Sequence, residues 1–246
     1  MEQNNEDKIP VQPKEDNQKL VAGAILLAGI VIAGAVLLKD SMPSNTQMSG
    51  GQNDRKLNPS IAKTIGLDTK KFRSCLDGGK FTSKVQADID DGVKLGVNGT
   101  PASFILKDGV VVDRINGAQP LEKVKEQISL ALTSNTKLAL EMKPISKDDH
   151  IIGNPNAKII IVEYSDLECP FCKRFHETMH QVIDGNSDVA WVYRHYPIPQ
   201  LHPQAFRQAE ATECAWEQGG NVAFWKYTDM LYKITPSSGN LEDREL

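Results

Sequence analysis

The sequence predicts an α/β domain, a mixed sheet with helices on both faces, preceded by an uncharged apolar segment. Three observations predict it. Residues 159–162 form an apolar run shortly before Cys169-Pro170-Phe171-Cys172, which opens a helix-patterned stretch. Residues 102–106 and 110–115 are β-rich runs joined through Asp108-Gly109, a strong hairpin signal. Residues 20–38, LVAGAILLAGIVIAGAVLL, hold no charge. The formal net charge of −4 over 246 residues is too mild to imply nucleic acid or an anionic surface as partner. With 40% hydrophobic and 24% charged residues, the composition suits a globular domain.

Residues 1–19 are polar, carry Pro10 and Pro13, and read as a disordered tail. The run 20–38, at about 1.5 Å per residue, is long enough to cross a bilayer core of ~30 Å. A cleavable signal peptide would have a shorter apolar region and a small-x-small site, but Lys39-Asp40-Ser41-Met42-Pro43 follows. The run therefore reads as an uncleaved transmembrane anchor. A buried soluble helix is the alternative, although the run is apolar all round rather than amphipathic. Lys8, Lys14 and Lys19 on one flank and Lys39, Arg55 and Lys56 on the other do not orient it. Four cysteines, two in a dithiol motif, favour an oxidising compartment, which puts the tail in the cytoplasm and the domain outside the membrane. Residues 39–56, rich in Ser, Asn, Gln and Gly, read as a flexible spacer.

Residues 57–240 are one domain in size, with 241–246 a charged tail and no closing element. Asn58-Pro59 predicts a helix start with proline first. Asp68 is placed to cap a short helix holding Phe72 and Leu76, ended by Gly78-Gly79. Phe81, Val85, Ile89 and Val93 predict a helix over 81–95 with one apolar face; Leu121, Val124, Ile128 and Leu132 predict another. After the hairpin half, 57–132, residues 133–156 read as a polar linker. The second half, 157–240, reads as strand (158–164), helix (169–184), strand (189–194) and two helices (203–218 and 221–233). Phe171, Phe175, Met179 and Val182 form one core stripe, and Ala205, Ala209, Thr212 and Trp216 another. Each half has two strands, too few for a stable sheet, so the two are expected to build one core.

VEYSDLECPFCKRFH (162–176) resembles the active-site segment of the DsbA-like thiol oxidases, whose fold is that of thioredoxin. GVNGTPASFIL (96–106) resembles that family's cis-proline loop and next strand, and HPQAFRQAEATECAWEQG and FRSCLDGGK resemble parts of its inserted helical region. The resemblance covers nearly all of 57–240. It implies a thioredoxin-like mixed sheet with a helical insertion. It also exposes a change of order: in the family the dithiol segment comes first, whereas here 57–132 resembles the later part and 144–240 the earlier part. A circular permutation accounts for this, with 133–156 joining the old termini. Domain swapping between two copies, or two halves that never assemble, are the alternatives.

At a helix start, free N–H groups and the dipole favour a thiolate, so Cys169 is expected to be exposed and low in pKa, with Cys172 shielded as the resolving thiol. Asp166 and Glu168 oppose that shift, Lys173 and Arg174 assist it, and direct N–H···S contacts are expected to prevail. Pro170 costs the first turn no hydrogen bond, and Phe171 is expected to tune the redox potential. The resemblance implies a buried acid at Glu163 that moves protons to and from the resolving cysteine; a solvated edge glutamate is the alternative. It likewise implies a cis Thr100-Pro101 bond against the disulfide, pairing with a substrate strand, where a plain turn is the alternative. Cys75 and Cys214 remain, and in an exported domain they are expected to form a structural disulfide rather than two buried thiols.

His176 lies near Cys172, but one Cys-x-x-Cys supplies only two of zinc's four ligands, so no metal is expected. His195 and His202 read as structural or surface residues. The expected activity is that of a cofactor-free thiol–disulfide oxidoreductase introducing disulfides into exported polypeptides. The resemblance implies a quinone-linked membrane partner for reoxidation. An isomerase or reductase of the same fold, and a non-catalytic disulfide-stapled interaction domain on an anchor, are the competing readings.

Overall fold

The computed structural model describes residues 60–236, 241 and 246, all within the unit formed by residues 55–246. The tail, the apolar run 20–38 and the spacer 39–56 lie outside the described residues. Among the described residues no helix is long and apolar enough to cross a membrane.

Helix α1 (Ile61–Thr64) begins two residues later than expected because Ser60 Oγ, accepting from the Lys63 N–H, is the cap. Helix α2 (Thr69–Asp77) is capped by Asp68, which accepts from Lys70 and Lys71 N–H, and ends at Gly78. Helix α3 (Thr82–Lys94) follows. Strands β1 (Ala102–Lys107) and β2 (Val110–Asn116) form the expected hairpin; Asp108 (φ 51°) and Gly109 (φ 77°) both take the left-handed region that such a tight turn requires. Helix α4 (Leu121–Thr133) completes the first half.

The second half holds β3 (His150–Gly153), β4 (Ile159–Ser165), α5 (Pro170–Asp184), β5 (Val189–His195) and α6 (Ala205–Ile234). The last is broken at Gly219 and Gly220, so the two helices expected from sequence meet at a kink. Gly220 sits at φ 60°, ψ −154°, a conformation essentially confined to glycine.

The sheet runs β2-β1-β4-β5-β3. Strand β4 is central, antiparallel to β1 and parallel to β5, so hairpin and dithiol halves share one sheet within one chain. Alternation along β4 and β5 separates the faces. Ile159, Ile161, Trp191 and Tyr193 face the larger core, packed with Phe72, Val124, Phe175 and Phe224 from the helices. Val162, Tyr164 and Val192 face a smaller core with Phe104 and Leu106.

Three expectations need correction. Residues 133–156 are not a free linker. Leu138, Leu140, Met142 and Ile145 pack on the smaller core, the Leu138 N–H donates to the Val111 carbonyl at 2.9 Å, and β3 adds a fifth, edge strand. Helix α3 buries its apolar stripe only in part: Val85 is buried and Phe81 packs on the larger core, but Val93 is 59% exposed, while Asp88 and Asp91 are buried. The end of the chain is not a loose tail at every residue, since Leu241 and Leu246 are buried in the larger core.

The buried Asp91 of α3 answers to Arg194, which β5 projects fully buried into the second face. Its Nη1 donates to Asp91 Oδ2 at 2.8 Å, its Nε to Asp149 Oδ1 at 2.8 Å, and its Nη2 to the Lys143 carbonyl at 3.0 Å. Tyr164 Oη also donates to Asp91. One guanidinium thus ties α3, the 134–149 strap and the central strands. On the other side, Cys75 of α2 and Cys214 of α6 form the expected disulfide across 139 residues.

Two stability outcomes follow. Arg194→Met leaves Asp91 and Asp149 buried without their cation and should cost about 3–5 kcal/mol in urea unfolding. Replacing Cys75 and Cys214 by alanine should cost about 2–5 kcal/mol, because it frees the unfolded chain from a long closed loop.

Candidate active site

The dithiol sits where β4 passes into α5. Pro170 occupies the first turn, and Cys169 is the N-cap residue, with extended backbone. The acids just before it are bound elsewhere. Asp166 Oδ2 accepts the Ile198 N–H at 2.8 Å and pairs with His202 Nδ1 at 2.9 Å. Glu168 Oε2 accepts the Gln204 N–H at 2.8 Å. Both carboxylates are held by the turn that leads into α6.

Cys172 is fully buried and accepts the Asp166 N–H at 3.4 Å. Burial pushes its thiol well up, and the neighbouring Cys169 sulfur and Glu163 add to the rise. Cys169 is also covered, at 5% exposure, rather than exposed as expected. The cover is the Thr100-Pro101 loop: that bond is cis, and the Thr100 carbonyl lies 3.5 Å from Cys169 Sγ.

Cys169 is nevertheless brought down to about 6. The chief cause is the hydrogen bond from Cys172; burial opposes it, and the Cys172 and Phe171 N–H groups and Thr100 assist. The expected N–H···S contribution is therefore present, and the two sulfurs are pushed apart in acidity.

Glu163 lies on the same sheet face as Ile161, wholly buried. Burial raises it to about 7, against the stabilising bond from Ser165 Oγ to Oε1 at 2.6 Å. Its other oxygen, Oε2, has no side-chain or backbone partner. A line of hydroxyls runs on from the bonded Oε1: Ser165 Oγ lies 3.1 Å from Tyr232 Oη, itself 3.0 Å from Tyr193 Oη. The sequence reading missed these three. Ser165 was accessible to it, being two residues beyond Glu163 on a strand and hence on the same face. Tyr232 comes from the far end of α6, and no local pattern announces it.

Phe171 is 54% exposed, with the Arg174 guanidinium 5.2 Å from its ring centre. Beside the cis bond lies an open groove of about 230 Å³, lined in part by Asn98, Gly99, Thr100, Pro101 and Arg114. His195 and His202 are buried and structural, not surface residues. Among the described residues, two side-chain clusters have donor sets able to hold a metal ion: His150, His195 and Glu213 in the interior, and His176, His180 and Asp229 near the surface.

These shifts set opposite pH dependences. Lowering of Cys169 favours the reduced fold through its thiolate; that contribution is full above the ordinary thiol value and is lost as pH falls through about 6. The contribution from protonated Glu163 is full below its ordinary value of 4.5 and is lost as pH rises through about 7. Thiolate ultraviolet absorbance of the reduced chain should therefore titrate with a midpoint near 6, from Cys169. Glu163→Gln should match wild type in stability in acid and exceed it above neutrality in parallel urea unfolding series.

Residues 45–129 match the family described as DSBA-like thioredoxin domain, and residues 146–243 match the family described as Thioredoxin. Among curated relatives, Na(+)/H(+) antiporter NhaA 1 of Mycolicibacterium gilvum (strain PYR-GCK) is 40% identical over 93 residues, 37% of this chain and 15% of that protein. Na(+)/H(+) antiporter NhaA 3 of Salinispora tropica is 40% identical over 91 residues, 37% of this chain and 14% of that protein. The chain thus spans about one seventh of the length of these relatives, and their names describe the longer proteins. Pseudomonas aeruginosa DsbA2 is a solved structure with 35% identity, covering 40% of this chain and 53% of that one, at a TM-score of 0.36. With the two family matches sharing one mixed sheet, and the cis-proline loop of one lying over the dithiol of the other, the chain is a DsbA-like thioredoxin-fold protein that carries the dithiol centre of a thiol–disulfide oxidoreductase.

Proposed function

We propose that this protein is a membrane-anchored, extracytoplasmic thiol oxidase that introduces disulfides into exported polypeptides. The observation that carries the reading is the divergence of the two sulfurs, Cys169 lowered to about 6 and Cys172 raised, beneath the Thr100 carbonyl. A stabilised Cys169 thiolate favours the reduced enzyme and so makes the oxidised form a disulfide donor.

In the cycle, a substrate thiolate attacks Cys169 Sγ of the oxidised pair. The Cys169–Cys172 bond breaks, a mixed disulfide forms, and Cys172 leaves with the bonding electrons. Cys172, the more basic sulfur, takes up a proton, and Glu163 is the acid we assign to supply it. A second substrate thiolate attacks the substrate sulfur of the mixed disulfide and expels Cys169 as a thiolate. The substrate has lost two electrons and gained a disulfide; the enzyme is reduced. Low basicity makes Cys169 the better leaving sulfur at this step. Thr100 and Pro101 line the groove where an extended substrate would lie, and exposed Phe171 offers it an apolar contact. Reoxidation is assigned to a quinone-linked membrane protein.

The uncharged run 20–38 supports the anchor, and the Cys75–Cys214 disulfide supports an oxidising compartment. The change of motif order is read as a circular permutation with residues 133–156 as the joining segment.

Trapping tests the reading. Cys172→Ala should accumulate mixed disulfides with reduced, unfolded polypeptides through Cys169, and Cys169→Ser should form none. The oxidised wild type should drive disulfide formation in such a polypeptide faster than Cys169→Ser. Absence of both trapping and turnover would favour a non-catalytic interaction domain. A thioredoxin-like potential against glutathione would favour a reductase.

A further inference from the structure

On α5, His176 and His180 are one turn apart, so both rings project from the same face. Asp229 reaches them from the second segment of α6. His176 Nε2 lies 2.8 Å from Asp229 Oδ1, His180 Nε2 lies 3.0 Å from the same oxygen, and the two nitrogens are 3.1 Å apart. Three donors are thereby brought to the corners of a nearly equilateral triangle. Around a single ion with bonds of about 2.0–2.2 Å, neighbouring donors stand about 3.0 Å apart at right angles and about 3.4 Å apart at tetrahedral angles. The observed triangle matches one face of an octahedron, the arrangement of two imidazoles and one carboxylate that suits divalent transition metals.

The surroundings fix and expose this triangle. The His176 ring is held between Tyr232 and Trp191, with ring centres 4.6 and 5.2 Å away. His180 and Asp229 are partly exposed, at 29% and 48% of their side chains. They open on a cavity of about 560 Å³ that Glu177 and Asp184 also line. An ion has an entry route, and its remaining coordination positions face water.

The interior cluster differs. Glu213 Oε1 there already has His150 Nε2 at 2.8 Å and the Lys84 ammonium at 3.6 Å, and both histidines and the glutamate are sealed from solvent. A built-in cation occupies the neighbourhood a metal would need. That contrast favours the surface triangle.

We propose that His176, His180 and Asp229 form a binding site for one divalent first-row transition-metal ion, separate from the dithiol and reached through the adjoining cavity. The site is independent of the oxidase reading.

The test is calorimetric titration of the full-length chain with Zn²⁺, with both cysteine pairs oxidised so that no thiolate competes. One equivalent should bind saturably, and His180→Gln and Asp229→Asn should each weaken it at least about tenfold, the lower end of the loss typical even for an outer-shell partner. Circular dichroism checks that the variants fold. A wild-type measurement stands beside them: Co²⁺ should selectively shift and broaden the ring resonances of His176 and His180 among the chain's 5 histidines. No saturable uptake by the wild type, uptake unchanged in both folded variants, or perturbation of other histidines instead would overturn the proposal.

Discussion

Pairing of β1 with β4 is the interaction on which the rest depends. Its antiparallel register runs from Ala102 opposite Tyr164 to Lys107 opposite Ile159. Thr100 stands just before one end of this ladder, and Cys169 just beyond the matching end of β4. The register therefore delivers the Thr100 carbonyl to the Cys169 sulfur without any further fitting. A slip of one residue would turn Glu163 to the opposite face, away from α5, and carry the cis-proline loop off the dithiol. Sheet formation and site formation are one event here, even though the two motifs lie 69 residues apart in the chain.

Around that ladder the protein spends its buried charge unevenly. On the smaller face, Arg194 is matched by Asp91 and Asp149, which closes α3 and the 134–149 strap over the sheet. On the larger face, Glu163 has one oxygen bonded to Ser165, the first of a row of hydroxyls continued by Tyr232 and Tyr193, and one without partner. A satisfied charge fixes structure; an incompletely satisfied acid near neutrality is suited to exchanging a proton. The same fold thus separates a static polar core from a titrating one by placing them on opposite sides of β4.

The elements with strong local signals were legible in the sequence. Asp68, Asp108-Gly109 and the Cys-x-x-Cys helix start are short-range devices whose chemistry acts within a few residues, and each sits where its pattern predicts. The errors are tertiary. Phe81, Val85, Ile89 and Val93 predict one apolar face for α3, and Val85 is buried, but Val93 is exposed while Asp91 is drawn inside by Arg194, 103 residues away. The 134–149 strap reads as polar because its Leu138, Leu140 and Met142 are spaced by Ala139 and Glu141 and flanked by lysines, a two-residue period that packs them on the smaller core. Cys169 was expected to be exposed because nothing local reveals that a distant loop covers it. Cys75 and Cys214 were paired by counting, and the packing of α2 on α6 brings them together.

The central claim is that one chain supplies both the cis-proline loop and the dithiol of a single redox centre. The most direct test is nuclear Overhauser contact between Thr100 or Pro101 and Cys169 in a sample mixing isotope-labelled and unlabelled chains. The account predicts these contacts within labelled chains and none in the spectrum filtered for contacts between chains. Contacts confined to the between-chain spectrum, or missing from both, would contradict it.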